Sequence, residues 1–210
     1  MLERISVRER RDLIIAWLAI SIAFTLIFIR PSGKVVPEVY LLFFGVSLVT
    51  VGIGFVLHEL SHKFTAMKYG FWAEFRRDNL MLVVAVALAA LVGVVFAAPG
   101  ATMIYGPTIT RQQNGKISAA GPIVNLVLCI PFAILLFAGP FVPLTVFSLN
   151  VVSLIGLVGL QVNAMIAFFN MLPVSVLDGK KVWAWNKGIF IALFGAALVA
   201  VFFSYYYIYL

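Results

Sequence analysis

Apolar stretches long enough to cross a hydrocarbon layer recur along nearly the whole of this 210-residue chain. A helix needs roughly 20 such residues to span a layer about 30 Å thick. Leu13 to Ile29, Val39 to Met67, Leu80 to Ala98, Ile117 to Ala138, Leu144 to Phe169 and Gly188 to Leu210 approach or exceed that length. Charges and helix breakers punctuate them, among them Arg30-Pro31, Pro99-Gly100, Gly106-Pro107 and Gln112-Gln113-Asn114-Gly115. A soluble domain is about half apolar and a quarter charged. This chain is 63% hydrophobic and 11% charged, so a water-surrounded globule is excluded and the lipid bilayer is its solvent. The first run follows Arg4, Arg8, Arg10 and Arg11 and lacks a small-x-small cleavage site behind it, which reads as a retained span rather than a signal peptide. The length suits a single membrane-embedded domain over 1–210, with residues 1–12 as an N-terminal cytoplasmic segment. A net charge of +7 raises the question of nucleic acid, but the fifteen Lys and Arg residues lie in short clusters between apolar runs. That is the pattern of cytoplasmic membrane loops, and no nucleic-acid partner is expected.

The scarce residues are the informative ones. His58 and His62 are the only histidines, and Glu59 stands between them. Of eight acids, Asp178 alone lies beyond residue 78. Cys129 is the sole cysteine, sits in an apolar run and permits no intrachain disulfide.

His58-Glu59-Leu60-Ser61-His62 is an H-E-x-x-H pentapeptide in a helical context. Spacing of i,i+4 puts both imidazoles on one helix face, one turn apart, where both can bind one zinc ion. Glu59 is offset by about 100° and reaches a water on that metal without ligating it, as a general base must. Ionisable groups in an apolar helix are expensive and mark function. A catalytic zinc takes three protein ligands and leaves a fourth position open. With no further histidine, the third ligand must be a carboxylate, and Asp178 is the candidate. Asp-Gly is also a common turn dipeptide. The absence of other acids downstream and the surrounding Asn170-x-x-Pro173-x-x-x-x-Asp178-Gly179 favour ligation.

His58-Glu59-Leu60-Ser61-His62, followed far downstream by Asn170-Met-Leu-Pro-Val-Ser-Val-Leu-Asp178-Gly179, resembles the site-2 protease family of intramembrane zinc metalloproteases. Gly121-Pro122-Ile-Val-Asn125 is similar to the Gly-Pro-x-x-Asn element of that family's intervening helix. The resemblance covers roughly residues 50 to 185 and implies a catalytic core at about 39–185. It implies one zinc per chain, ligated by His58, His62 and Asp178, with Glu59 as the base and Asn170 as a polar group near the scissile carbonyl. The implied substrates are membrane-anchored proteins, cut within or near their transmembrane segment. The chain departs from the family in carrying no PDZ-like or nucleotide-sensing domain, and in the extra apolar run Leu80 to Ala98.

That extra run decides the topology. If all six runs cross, His58 and Asp178 lie near opposite faces, some 30 Å apart, and cannot share a zinc with bonds of about 2 Å. The basic residues then divide almost evenly and give no orientation. If Leu80 to Ala98 dips in and returns, thirteen basic residues face one side and only Arg30 and Lys34 the other. The expected fold is therefore an all-α polytopic membrane protein with about six membrane-embedded segments. Five are spans, one is a re-entrant run around 80–98, and a short extended stretch lies around 99–115. The active site is expected toward the cytoplasmic side, in a multi-pass protein of the cell membrane. The extended-looking Ala101 to Tyr105 could line the cleft and hold a substrate as an added strand, through Ala101, Thr102 and Met103. Asn125 is either an interhelical hydrogen-bonding residue or part of the substrate site, and Gln161 and Asn163 carry the same two readings. Two other function classes fit the composition: a non-proteolytic membrane protein keeping a metal site, against which Glu59 argues, and a transporter, for which no charge relay or half-helix repeat is found.

Overall fold

The computed structural model of the chain describes residues 5–30, 36–95, 100–106 and 108–206. Five of its helices are long and apolar enough to cross a membrane: α1 (Val7–Ile29), α2 (Pro37–Lys68), α4 (Arg111–Ala138), α5 (Val151–Asn170) and α7 (Lys187–Tyr206). Among the described residues, two shorter α-helices, α3 (Asn79–Leu91) and α6 (Asp178–Trp185), and a 3-10 turn at Gly139–Phe141 complete the helical set. Strands β1 (Trp72–Arg77) and β2 (Gly100–Tyr105) form an antiparallel ribbon, and β3 (Thr145–Val146) and β4 (Leu149–Asn150) a minimal hairpin before α5. The protein is an all-α polytopic membrane protein with small sheet additions.

Helix α3 has 13 residues, about 20 Å at 1.5 Å per residue and too short to cross a layer of about 30 Å. The ribbon register pairs Arg77 with Gly100 and Trp72 with Tyr105. The chain therefore leaves the ribbon at Arg77 and comes back beside it, so α3 belongs to an excursion that ends where it began. Residues 96–99 of the expected run lie outside the described residues.

Helices in lipid gain little from burying one another's apolar surface, so close approach and polar links hold them together. Both devices are present. A Cβ on Gly156 would stand 2.2 Å from the Leu136 backbone nitrogen, and one on Gly159 would stand 2.1 Å from the Phe132 ring, so these two glycines let α4 and α5 lie against each other. The Trp17 indole donates to the Leu48 carbonyl at 2.8 Å, linking α1 to α2. Large apolar side chains on the outer faces, such as Val127, Ile130, Ile134, Ile191, Val199 and Phe202, stay exposed as a lipid-facing surface requires. At the start of α1, Glu9 pairs with the fully buried Lys63 of α2 and accepts from the Phe75 amide at 3.1 Å. Asp12 lies 3.8 Å from Arg76 and 3.5 Å from Arg77, so α1 and α2 together hold the ribbon in place.

Four local expectations are adjusted. Helix α4 begins at Arg111, not near Ile117, because Thr110 and Gln113 form a reciprocal capping box at its N-terminus. Gly115, which looks like a turn signal, sits instead inside α4, where a Cβ would meet that of Trp185 at 2.2 Å. The extended stretch is thus a strand over 100–105 followed by a short connection. Helix α5 starts at Val151 rather than Leu144, the intervening residues being taken by the β3–β4 hairpin. Asp178, whose Asp-Gly dipeptide also reads as a turn, is the first residue of α6.

Candidate metal centre

Helix α2 supplies His58, Glu59 and His62; α6 supplies Asp178; α4 walls the site; β2 closes it from the other side. The two imidazoles lie one turn apart, with ring centroids at 4.7 Å and planes at 84°. Asp178 Oδ2 is 3.4 Å from His58 Nε2 and 3.1 Å from His62 Nε2. Tetrahedral bonds of about 2.0–2.1 Å place neighbouring donor atoms roughly 3.3–3.4 Å apart. The separations match that requirement, and all three residues are buried. Among the described residues, His58, His62 and Asp178 are the group able to hold a metal ion. Loop residues Met171 to Leu177 deliver Asp178 from the end of α5, and the turn is tight: a Cβ on Gly179 would stand 2.1 Å from the Met171 carbonyl oxygen.

The backbone of α4 leaves room for an ion. A Cβ on Gly121 would lie 2.5 Å from His62 Nε2 and 2.6 Å from His58 Nε2, so any side chain there would occupy ligand space. The rings are also aimed. His62 Nδ1 lies 2.8 Å from the Ile117 carbonyl, which accepts its proton and leaves Nε2 as the free lone pair. His58 Nδ1 lies 2.5 Å from Asn125 Oδ1. Burial pushes the Asp178 pKa up, but His62 and then His58, in their protonated forms, outweigh it and hold the carboxyl well below the usual range. Lys181, one turn along α6, adds an ammonium 3.7 Å from Asp178 Oδ1.

Glu59 is not part of the ligand cluster but borders the same cavity. Its Oε2 accepts from the Thr102 hydroxyl at 2.9 Å, and its backbone carbonyl accepts from the same hydroxyl at 3.3 Å. Two cavities meet here. A small one of about 70 Å³ is bounded by the His pair, Glu59, Asp178, Ala101, Thr102 and Asn170. A larger one of about 450 Å³ adjoins His58 and Glu59 and runs between α1, α2, α3 and α5 past Phe24, Phe28, Phe55 and Met165. Asn170 borders both cavities. Its amide donates to the Ile166 carbonyl at 2.9 Å, and the helix C-cap is Met171.

The residues singled out as substrate-binding separate. Ala101 and Thr102 border the small cavity, whereas Met103, 48% exposed, is not among its walls. Asn125 is 0% exposed, faces His58 Nδ1 and is not among the walls of either cavity. The closeness of Gly121, already noted in its Gly-Pro-x-x-Asn element, to the imidazoles and the hydroxyl of Thr102 as a partner of Glu59 escape a reading by residue type. The only sequence signal for the latter is a threonine in an otherwise apolar strand.

A protein of Methanocaldococcus jannaschii named "Putative zinc metalloprotease" is 39% identical over 196 residues, which cover 93% of this chain and 93% of that protein. No protein-family model matches the chain. No solved structure gives a significant match.

Proposed function

Because the chain belongs to the zinc metalloprotease family of this relative, we propose that it is an intramembrane zinc endopeptidase of the site-2 protease type. The observation that carries the reading is the split of one pentapeptide: His58 and His62 converge on Asp178, while Glu59 is drawn aside to Thr102 at the mouth of an apolar cavity. In this reading His58, His62 and Asp178 hold one zinc ion. When bound, that ion supplies a water acidified to about pKa 7 and a polarised carbonyl.

Glu59 takes the water's proton and passes it to the leaving amine. Thr102 holds the carboxylate beside the water without neutralising it. Asn170 donates an amide hydrogen to the developing oxyanion, an effect worth roughly 3 kcal/mol elsewhere. The cavity past Phe24 and Phe55 suits an apolar segment, so the substrates are membrane-anchored proteins. A helical peptide bond is shielded by its own hydrogen bonds and must be unwound before attack. One edge of β2 is taken by β1; an extended substrate added along the other edge is straightened beside Glu59. The excess of basic residues on the ribbon side orients the site to the cytoplasm of a cell membrane.

The test uses purified protein with a panel of membrane-anchored substrates, comparing wild type with Glu59→Gln and Asp178→Ala. Cleavage is expected only in wild type, with zinc retained by Glu59→Gln and lost by Asp178→Ala. Equal cleavage by wild type and Glu59→Gln would falsify the mechanism.

A further inference from the structure

We propose that Asn163, on α5, is a positioning residue for the metal centre, fixing the tautomer and aim of His58 through Asn125. The inference rests on the reading of His58 as a zinc ligand.

A ligating imidazole must offer a lone pair at Nε2, so its proton must sit on Nδ1, and Nδ1 must face an acceptor. Asn125 faces His58 Nδ1 at 2.5 Å. An asparagine amide turned the wrong way would present NH₂ to that nitrogen and favour the opposite tautomer. What prevents the flip lies one step further from the metal. Asn125 Nδ2 is 3.1 Å from the Gly54 carbonyl and 2.8 Å from Asn163 Oδ1. Asn163 is itself oriented, because its Nδ2 is 2.8 Å from the Gly159 carbonyl. A carbonyl only accepts, so Asn163 must turn its oxygen toward Asn125. Asn125 must then turn its oxygen toward His58. Two backbone carbonyls thus set the direction of a chain of hydrogen bonds that ends on the imidazole. Reversing it would bring lone pairs together at fully buried side chains, where low dielectric makes unsatisfied contacts costly.

The packing independently marks Asn163. A Cβ on Gly54 would stand 2.9 Å from Asn163 Oδ1 and 3.2 Å from its Nδ2, so α2 and α5 close on that amide with nothing to spare. Gln161, two residues earlier on the same helix, shows the ordinary alternative. It donates to the Ser204 carbonyl of α7 at 3.3 Å and has no path to the metal ligands.

The measurement is zinc affinity by chelator competition, with the visible absorption of the cobalt-substituted protein and thermal unfolding alongside, on the full chain in detergent. Loss of a partner behind a ligating histidine typically weakens metal binding 10–100-fold. Asn163→Leu, similar in size but apolar, is expected to lose affinity in that range and to shift the cobalt bands. Gln161→Leu is expected to bind zinc like wild type despite an equal or larger loss of thermal stability. Should Asn163→Leu fail to fold, Gly54→Ala displaces the same amide and is expected to weaken zinc at least tenfold. Wild-type affinity in the variant at Asn163, or equal weakening in Gln161→Leu, overturns the proposal. Zinc binding that survives His58→Ala overturns instead the ligand assignment beneath it.

Discussion

The Thr102 hydroxyl donates to Glu59 Oε2 at 2.9 Å, so the strand returning from the α3 excursion holds the one acid of the pentapeptide that stays off the ligand cluster. The ribbon and the candidate metal centre are thereby parts of one site, although 43 residues separate the two partners in sequence. A hydrogen bond to a charged group contributes about 1.5–3 kcal/mol. Thr102→Val, which keeps the shape and removes the hydroxyl, is expected to lower the cleavage rate about tenfold or more with zinc content unchanged. Equal rates for the two proteins, measured on one membrane-anchored substrate, would remove Thr102 from the machinery.

Gly121 faces the ligand nitrogens with no side chain of its own. Gly121→Ala brings a methyl to about 2.5 Å from His62 Nε2, a contact that neither ring can relieve without leaving its Nδ1 partner. Zinc binding is expected to fall below detection while far-ultraviolet circular dichroism remains that of wild type. Stoichiometric zinc in this variant by elemental analysis would show that α4 is free to retreat.

The buried pair of Lys63 and Glu9 joins α2 to the first turns of α1. Removing one partner of such a pair costs about 3–5 kcal/mol, because the other charge is left without compensation. Lys63→Met is therefore expected to be strongly destabilised in detergent by thermal unfolding. The double variant with Glu9→Gln is expected to recover part of that loss. A single variant as stable as wild type would mean the pair contributes nothing net.

Orientation can be read by cysteine labelling in a Cys129→Ala background, with single cysteines at Arg111 and Lys187. Five crossings and one return place both positions on the same side, and each is expected to react with the same membrane-impermeant reagent. Reaction from opposite sides sinks this arrangement and, with it, the cytoplasmic placement of the site.

Much of the site is legible from residue type alone because chemistry-bearing residues are so scarce here. Two histidines at i,i+4 and a single late aspartate leave few alternatives for a three-ligand centre, and the structure brings those three together. The apolar runs likewise yield five long helices, since length and composition decide what a bilayer accepts. Strand β1 is not legible. Trp72-Ala-Glu-Phe-Arg-Arg lacks the clean alternation of a strand, and its partner lies 28 residues beyond across an apolar run, so it forms through distant pairing rather than local preference. Gly115 misleads for a related reason: its missing side chain serves contact with Trp185, and a turn and a close approach look the same in sequence. Asn125 and Asn163 could be read only as polar groups bonding between helices. Their direction, from Gly159 to His58, exists only once α2, α4 and α5 cross.

The pairing of Arg77 with Gly100 also bears on how sequences of this kind can diverge. Because the ribbon clamps both ends of the excursion, the segment between them is a cassette. Its length and composition can drift between descendants, or be exchanged by recombination, while the ligand cluster and Thr102 keep their coordinates. The slow-changing positions should then be those of the clamp and the buried face of α3 at Leu82, Ala85 and Ala89, and not the exposed Leu80, Val83 and Leu91, which are interchangeable with any side chains that suit lipid.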